Sequence, residues 1–532
     1  MTADPRPVPA GFEPYLWSTP PVEIARRHGL LPAQVLRYDA NTPPLPGIPQ
    51  LPLGEAFAGV NEYPEGTYRE LREAAAAYAG CSAEQVVVGC GGDGLIELVA
   101  RVFLGPGRHA ATVAPTYPLY AVAGGVEGSE TIRARLDADE LQGVDVVWVC
   151  NPNNPTGELV EPEALASLAR ALPDSMVVVD EAYFEYAGKT VVPLIATAPN
   201  LIAIRTLSKA FGFAGLRVGY AVVAPELAEV FEHRRTPAPI TTPAARIAVA
   251  ALRTPRLDVD ETIEERERMR YALVAAGYDC PPGHGNFVYV RTADAPAIAD
   301  RLERQGLVVR HYADAIRITV RLPAENDVIL AALDAAPAPA ARRSAVVVRA
   351  TAETALRVSL ALDGHGRARV ETGVGFLDHL LHQLAFHGEL DLELLASGDL
   401  GVDEHHTVED VLAALGEALA EALGNRAGVA RYGSAVVPMD EARASAAVDL
   451  VRRPHAEVAL AFRGDRIGKL APTLLPHALE RFAQQACVTL HVESAGEDDH
   501  HVAEAAFKAL GRALGQACGK DGGGVASTKG SL

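Results

Sequence analysis

TLSKAFGFAGLRVGY, residues 206–220, begins where the Val/Ile-rich run LIAIRT (201–206) gives out, and it sets a lysine, two hydroxyls and an arginine at the end of a predicted strand. Two earlier stretches share the design. GVDVVWVC (143–150) runs into NPNNPTG (151–157), and SMVVVD (175–180) runs into DEAYFEY (180–186). Helical segments such as EPEALASLARAL (161–172) lie between them. Short apolar runs alternating with helices predict a parallel sheet with crossover helices, whose ligand binds beyond the carboxyl ends of the strands. IEERERMRYALVAAG, NFVYVR and AIRITV, between about 250 and 335, predict a smaller α+β unit.

The wider composition sets limits on this reading. A chain of 532 residues, 49% hydrophobic and 22% charged, is globular and long enough for about three domains. No apolar run reaches the length of a membrane span, and MTADPRPVPAGFEP has no secretory design, so a cytoplasmic protein without membrane contact is expected. The net charge of −20, with acidic side chains in excess on both sides of residue 342, argues against nucleic acid as a partner. Six scattered cysteines without a CxxC predict reduced thiols.

At the strand ends of the first part stand Lys209, Asp180, Asn154, Tyr183 and a loop rich in small residues. A carbonyl cofactor needs an amine to capture it and an anion facing its ring nitrogen, so that the ring can withdraw electrons. Its phosphate needs hydroxyls, a guanidinium and free amides. Asn154 precedes Asp180 by 26 residues and Asp180 precedes Lys209 by 29. In this order and spacing, roughly residues 10–335 resemble the fold-type I, pyridoxal 5'-phosphate aminotransferases, and most closely the histidinol-phosphate aminotransferases. The resemblance implies that Lys209 captures the cofactor and later carries the proton, and that Asp180 pairs with the ring nitrogen. Asn154 and Tyr183 would bond the ring's phenolic oxygen, and Thr206, Ser208 and Arg217 the phosphate. The turn GCGGDG (89–94), with Gly91, Gly92 and Asp93, would add amides at a helix start. Tyr117 of APTYPLY would stack on the ring, and Arg317 of IRITV would take the substrate's anion. Tyr63 of NEYPEG matches a tyrosine that reaches the neighbouring subunit's cofactor, which implies a dimer. Where the family commonly has Gly-Ser-Asp, this chain has Gly91-Gly92-Asp93, one hydroxyl short.

Five of the 16 histidines precede residue 342 and eleven follow it. The Ala/Pro run AALDAAPAPAARRS (331–344) cannot continue a helix, so residues 336–344 read as a short linker between domains 1–335 and 345–532. Beyond it lies a repeat. VDEHHTVEDVLAALGEALAEALG (402–424) aligns with EDDHHVAEAAFKALGRALGQACG (497–519) at a constant offset of 95. His405, His406 and Glu409 pair with His500, His501 and Glu504, and Gly416 pairs with Gly511. The region is therefore a duplicated α/β unit. On a helix Glu409 is i,i+4 from His405 and i,i+3 from His406, while the two histidines face different ways and can serve two sites. His379 of GFLDHLL and His491 of VTLHV are further ligand candidates. Imidazole and carboxylate without thiolate suit Mn²⁺, Fe²⁺ or Zn²⁺. His365, His382, His387, His455 and His477 read as ordinary core or surface histidines.

Residues 343–532 resemble imidazoleglycerol-phosphate dehydratase through Glu353-Thr354, LDGHGRARVETGVGFLDHLL, GDLGVDEHHTVEDV, RYGSAVVPMDEA, TLH, HHxxE and STKG (527–530). The resemblance implies two Mn²⁺ per site on His379, His405, His406, Glu409, His491, His500, His501 and Glu504, with Glu409 and Glu504 also catalytic. It places Glu353 and Gln383 at the substrate, Asp440 nearby, and Arg431, Arg453, Lys508, Ser527 and Lys529 at the phosphate. It also implies a 24-subunit homo-oligomer with sites between subunits. Two departures stand out: Val451-Arg452 where the family has Ser-Gly, and Asp498-Asp499 before His500, which would add charge beside a metal.

The two resemblances join on one chain as a bifunctional enzyme of histidine biosynthesis. It would dehydrate imidazoleglycerol phosphate to imidazoleacetol phosphate and transaminate that with L-glutamate to L-histidinol phosphate. Two alternatives stay open: an N-terminal half serving aromatic or other keto acids, or a C-terminal half that binds metal and assembles without dehydrating.

Overall fold

A computed structural model of the chain describes residues 17–47, 53–255 and 257–521. The three apolar runs form Val146–Cys150, Met176–Asp180 and Leu201–Thr206, adjacent and parallel at the centre of a seven-stranded sheet. Every residue of Leu201–Thr206 is buried, as expected of a strand covered on both faces. Only Val218–Val222, between Leu201–Thr206 and Val86–Cys90, pairs antiparallel. Separate apolar clusters fill the two faces of the sheet.

The smaller unit is a four-stranded sheet built on Phe287–Arg291, Leu307–His311 and Ala315–Thr319. Its fourth strand, Leu36–Tyr38, comes from the far end of the chain and pairs parallel with Leu307–Val309. Sequence reasoning confined to residues 250–335 does not supply it, since three residues carry too little pattern to declare a strand.

Past residue 343 the duplication is visible in the topology. Strands Ser344–Ala350, Thr354–Ala361, Asp391–Gly398 and Ala368–Glu371 lie in that order in one sheet. Tyr432–Met439, Ala442–Asp449, Thr489–Ala495 and His455–Leu460 repeat the order and the pairing directions in a second. Helices Gly375–Gly388 and His405–Leu423 cover the first sheet, Leu474–Ala486 and Asp499–Cys518 cover the second, and the helix pairs face each other in one core.

The paired glycines lie where these helices cross. A Cβ on Gly511 would stand 2.5 Å from the Leu384 carbonyl oxygen, and one on Gly416 would meet the Phe482 carbonyl in the same way. Backbone cannot yield as a side-chain tip does. Gly416→Ala and Gly511→Ala are each expected to lower stability by about 1–3 kcal/mol, the usual cost of overpacking. Denaturant unfolding of the two variants measures this, and unchanged midpoints would contradict it.

Residues 335–343 carry neither helix nor strand, but the halves share more than this connection. On the first of the two repeated sheets, Glu393 and Ser359 are buried against Arg321 and Glu325 of the smaller unit, and Arg357 is buried against the carbonyls of Ala33 and Val35.

Candidate functional sites

The first site is a pocket of about 390 Å³ at the carboxyl ends of the central strands. Met176–Asp180 ends in Asp180 and Leu201–Thr206 ends three residues before Lys209, so the topology brings the two side chains to one floor. Burial pushes the Asp180 carboxyl up to about 6, opposed by hydrogen bonds from Tyr120 Oη (2.7 Å) and the Ala182 amide (3.1 Å). Burial, and next the charge of Arg317, lower the Lys209 amine to about 8. Its Nζ donates to the Ala40 carbonyl at 3.3 Å. A buried anion and an amine readily made neutral are the pair that a cationic ring and a carbonyl require.

Around this floor, Tyr117 Oη donates to Asp93 at 3.1 Å and Arg217 Nη2 donates to the other Asp93 oxygen at 2.7 Å. The hydroxyls of Thr206 and Ser208 lie 2.8 Å apart. Arg217 has φ of 54°, and its guanidinium fills the space that a Cβ on Gly91 (φ 71°) would take. Helix Gly91–Phe103 starts here, so its free amides face the same corner. At Gly92 a Cβ would make only ordinary contacts at 3.9 Å with Ile204 and Thr206, so the missing serine hydroxyl has no steric cause.

On the substrate side Arg317 donates to Asn154 Oδ1 and to the Asp39 carbonyl, and Tyr183 Oη accepts from Asn41 Nδ2 at 2.9 Å. Tyr63 stands apart from this pocket and is 93% exposed. The segment Asp39–Asn41 and Tyr120 escape sequence reading. The first lies in a loop far from the lysine in sequence. Tyr120 had a usable signal, since it stands three residues after Tyr117 on helix Leu119–Glu127.

The second region holds two matching triads. His379, His500 and Glu504 form one, with both imidazole Nε2 atoms near Glu504 Oε2, at 3.2 and 3.1 Å. His379 Nε2 is buried and makes no well-aligned hydrogen bond, facing the Glu504 carboxylate in an arrangement that a metal ion shared between them would fit. His405, Glu409 and His477 form the other, with Glu409 Oε2 at 3.5 Å from His405 and 3.4 Å from His477. His477, read from the sequence as an ordinary histidine, thus stands with His405 and Glu409 as a further ligand candidate. It occupies on helix Leu474–Ala486 the place that His379 occupies on Gly375–Gly388. The repeat did not expose it because the two lie 98 residues apart rather than 95.

The adjacent histidines diverge as helix geometry demands, their rings 77° and 85° apart in plane. His406 turns to Asp399 (3.1 Å) and Glu353 (3.7 Å), and His501 to Glu441 (2.9 Å) and Asp440 (3.6 Å). His491 reaches neither triad within the chain. It lies on the outer face of the second sheet, 5.8 Å from the His455 ring. Lys508 Nζ holds Glu504 Oε1 at 2.8 Å, Arg431 is bidentate on Asp449, and Arg453 is exposed. Gln383 is half-buried on helix Gly375–Gly388, and Ser527 and Lys529 lie outside the described residues.

Both departures find a structural use. Val451 is buried, and Arg452 Nη2 donates to the Gly424 carbonyl at the end of helix His405–Leu423. Asp498 caps its helix by accepting from the His500 amide at 2.8 Å, as Asp403 does for His405 at 2.9 Å. Asp499 accepts from the Arg463 and Gly464 amides. The added carboxylates are thus spent on backbone rather than aimed at either triad.

A lysine and an aspartate at sheet ends, joined to a duplicated fold with paired histidine–glutamate triads, define a chain of two enzymes. The model for "Aminotransferase class I and II" matches residues 31–333 and that for "Imidazoleglycerol-phosphate dehydratase" matches 372–514. The chain belongs to the class I and II aminotransferases over its first part and to the imidazoleglycerol-phosphate dehydratases over its last. The dehydratase of Magnetococcus marinus is 50% identical over 194 residues, 36% of this chain and 98% of that protein. That of Methanopyrus kandleri is 53% identical over 194 residues, 36% and 96%. The histidinol-phosphate aminotransferase of Sinorhizobium meliloti, solved with pyridoxal-5'-phosphate, is 28% identical with a TM-score of 0.54, covering 61% of this chain and 96% of that one. That of Clostridium acetobutylicum is 25% identical with a TM-score of 0.52, covering 56% and 98%.

Proposed function

We propose that this is a bifunctional histidine-biosynthesis enzyme that dehydrates imidazoleglycerol phosphate to imidazoleacetol phosphate and transaminates that ketone with L-glutamate to L-histidinol phosphate. The observation that carries the reading is the presence of both sites on one chain, because the product of the first reaction is the substrate of the second.

In the first site pyridoxal 5'-phosphate, when bound, supplies an electron sink for the charge left when a proton leaves the donor's α-carbon. Lys209 would capture the cofactor and then carry that proton; with its amine lowered to about 8, roughly a tenth is neutral base at pH 7, far more than for an ordinary lysine. Asp180 holds the ring nitrogen's proton. Thr206, Ser208, Arg217 and the amides at Gly91, Gly92 and Asp93 take the phosphate, Tyr117 stacks on the ring, and Asn154 and Tyr183 orient it. Arg317 binds the substrate's anion, and Tyr63 reaches a partner's site in a dimer.

In the second site two Mn²⁺, when bound, stabilise negative charge on the substrate's imidazole. His379, His500 and Glu504 hold one side, and His405, Glu409 and His477 the other. His406, His501 and His491 complete the ligand sets from neighbouring subunits of a larger assembly, the 24-subunit arrangement. Glu409 and Glu504 are placed to move protons beside the ligands, Glu353, Gln383 and Asp440 contact the substrate, and Arg431, Arg453, Lys508, Ser527 and Lys529 bind its phosphate. We place the enzyme in the cytoplasm, acting on small molecules without nucleic acid or membrane; no described helix is long and apolar enough to cross a membrane.

The rival for the first half is a keto-acid aminotransferase of other specificity. Competition between imidazoleacetol phosphate and phenylpyruvate for the enzyme loaded with amino groups separates them. The phosphate ester is expected to win in kcat/KM by at least ~10²-fold, since a buried site built for one polar group rejects a substrate lacking it. Preference for phenylpyruvate would overturn the substrate assignment.

A further inference from the structure

One wall of the aminotransferase pocket, residues 39–41, has no helix or strand of its own. It nevertheless touches three of the site's groups: the Asp39 carbonyl accepts from Arg317, the Ala40 carbonyl from Lys209, and Asn41 donates to Tyr183. The wall hangs from Leu36–Tyr38, a three-residue strand at the edge of its sheet, paired on one side only. So short an edge strand is weakly held by its own ladder.

Within its own half it is held by Thr319, whose hydroxyl donates to the Tyr38 carbonyl at 2.8 Å, and by Asn286, which donates to the Asn41 carbonyl at 3.1 Å; ahead of the strand, support comes from the dehydratase half. Arg357, on strand Thr354–Ala361, donates from Nη1 to the carbonyls of Ala33 (3.2 Å) and Val35 (2.8 Å), directly ahead of the edge strand. Its Nη2 meets Glu393 Oε2 at 2.7 Å. The same Glu393 oxygen accepts from Arg321 Nη2 at 3.3 Å, and Arg321 Nη1 reaches the Arg37 carbonyl at 3.3 Å. Arg321 also pairs with Glu325, which accepts from Ser359 at 2.8 Å and whose carbonyl accepts from Tyr38 Oη at 2.6 Å. These four charged side chains are between 1% and 7% exposed. In such surroundings, loss of one partner leaves a buried charge uncompensated and shifts whatever it held.

We propose that Arg357 and Glu393, in the dehydratase half, are positioning residues for the aminotransferase: they brace residues 33–41 and through them Lys209, Tyr183 and Arg317. The proposal rests on the aminotransferase reading only in what the pocket does. Neither residue belongs to the triads or to the dehydratase's substrate groups, so the expected effect is asymmetric: a change in the dehydratase sheet impairs the other half's reaction.

The test uses the full chain loaded with cofactor and Mn²⁺, as Arg357→Met, Arg357→Lys and Glu393→Gln. Three readouts are taken: kcat and KM of each activity, the pH midpoint of cofactor absorbance, and amide exchange over residues 33–41. Arg357→Met is expected to raise the aminotransferase KM about tenfold, the scale on which a small misplacement of binding groups acts. It should also move the absorbance midpoint and speed exchange in 33–41, with dehydration unchanged. Glu393→Gln, nearly isosteric, should do the same more mildly, and Arg357→Lys should fall between Arg357→Met and the unmodified chain. If Arg357→Met fails to fold, the other two variants decide. Equal loss of both activities in the folded variants, or unaltered midpoint and exchange, would overturn the brace. If the unmodified chain transaminates nothing, the aminotransferase reading fails separately, and the exchange over 33–41 still decides the brace.

Discussion

Lys209→Ala is expected to cost the aminotransferase at least ~10³-fold in kcat, because one change removes both the amine that captures the cofactor and the base that moves the proton. Dehydration should continue at its normal rate, so imidazoleacetol phosphate accumulates where the unmodified chain makes histidinol phosphate. A second arm tests the environment of the amine. Protonated lysine has no lone pair to attack a carbonyl, so uptake of pyridoxal phosphate by the cofactor-free chain follows the neutral fraction. With the amine at about 8, uptake should climb through a midpoint near pH 8 and level off roughly one to two pH units above it. An ordinary lysine, near ~10.4, would keep climbing through pH 10. Absorbance of the bound cofactor reads both arms. Aminotransfer by Lys209→Ala at a tenth of the normal rate or more would contradict the assignment.

Glu409→Ala and Glu504→Ala are expected to do the converse: loss of dehydration by at least ~10²-fold, loss of bound manganese, and intact aminotransfer. Even partners one step removed from a metal typically cost about 10–100-fold, and each glutamate lies within 3.5 Å of two imidazoles in its triad. His477→Ala should lose metal as His379→Ala does, although only His379 declares itself in the sequence. Metal content of each purified variant, set beside both activities, checks this. Full manganese in His477→Ala would return that histidine to a structural role.

What the sequence makes legible follows from how far apart the cooperating residues are. Leu201–Thr206 begins and ends where the Leu/Ile-rich run does, because a strand covered on both faces is largely apolar, its one buried charge, Arg205, being paired with Glu181. Lys209, Asp180 and Asn154 announce themselves because each ends a strand of one sheet. The repeat shows equally well, and Gly416 and Gly511 are paired because they solve the same packing problem twice. The edge strand Leu36–Tyr38 and the wall at 39–41 are hidden, since their partners lie from 142 to 278 residues away and no local periodicity marks them. His477 is hidden because three extra residues put it out of step with its counterpart. The clasp between halves is invisible for a different reason. Arg357 and Glu393 sit at positions that alternation assigns to a solvent face, and only the covering unit makes them buried.

If one chain carries both consecutive reactions, a single incubation reveals it. The purified chain is given imidazoleglycerol phosphate, Mn²⁺, pyridoxal phosphate and L-glutamate, and products are identified by mass. L-histidinol phosphate and 2-oxoglutarate are expected in equal amounts. Unconsumed imidazoleglycerol phosphate would contradict this and leave the C-terminal half a metal-binding scaffold.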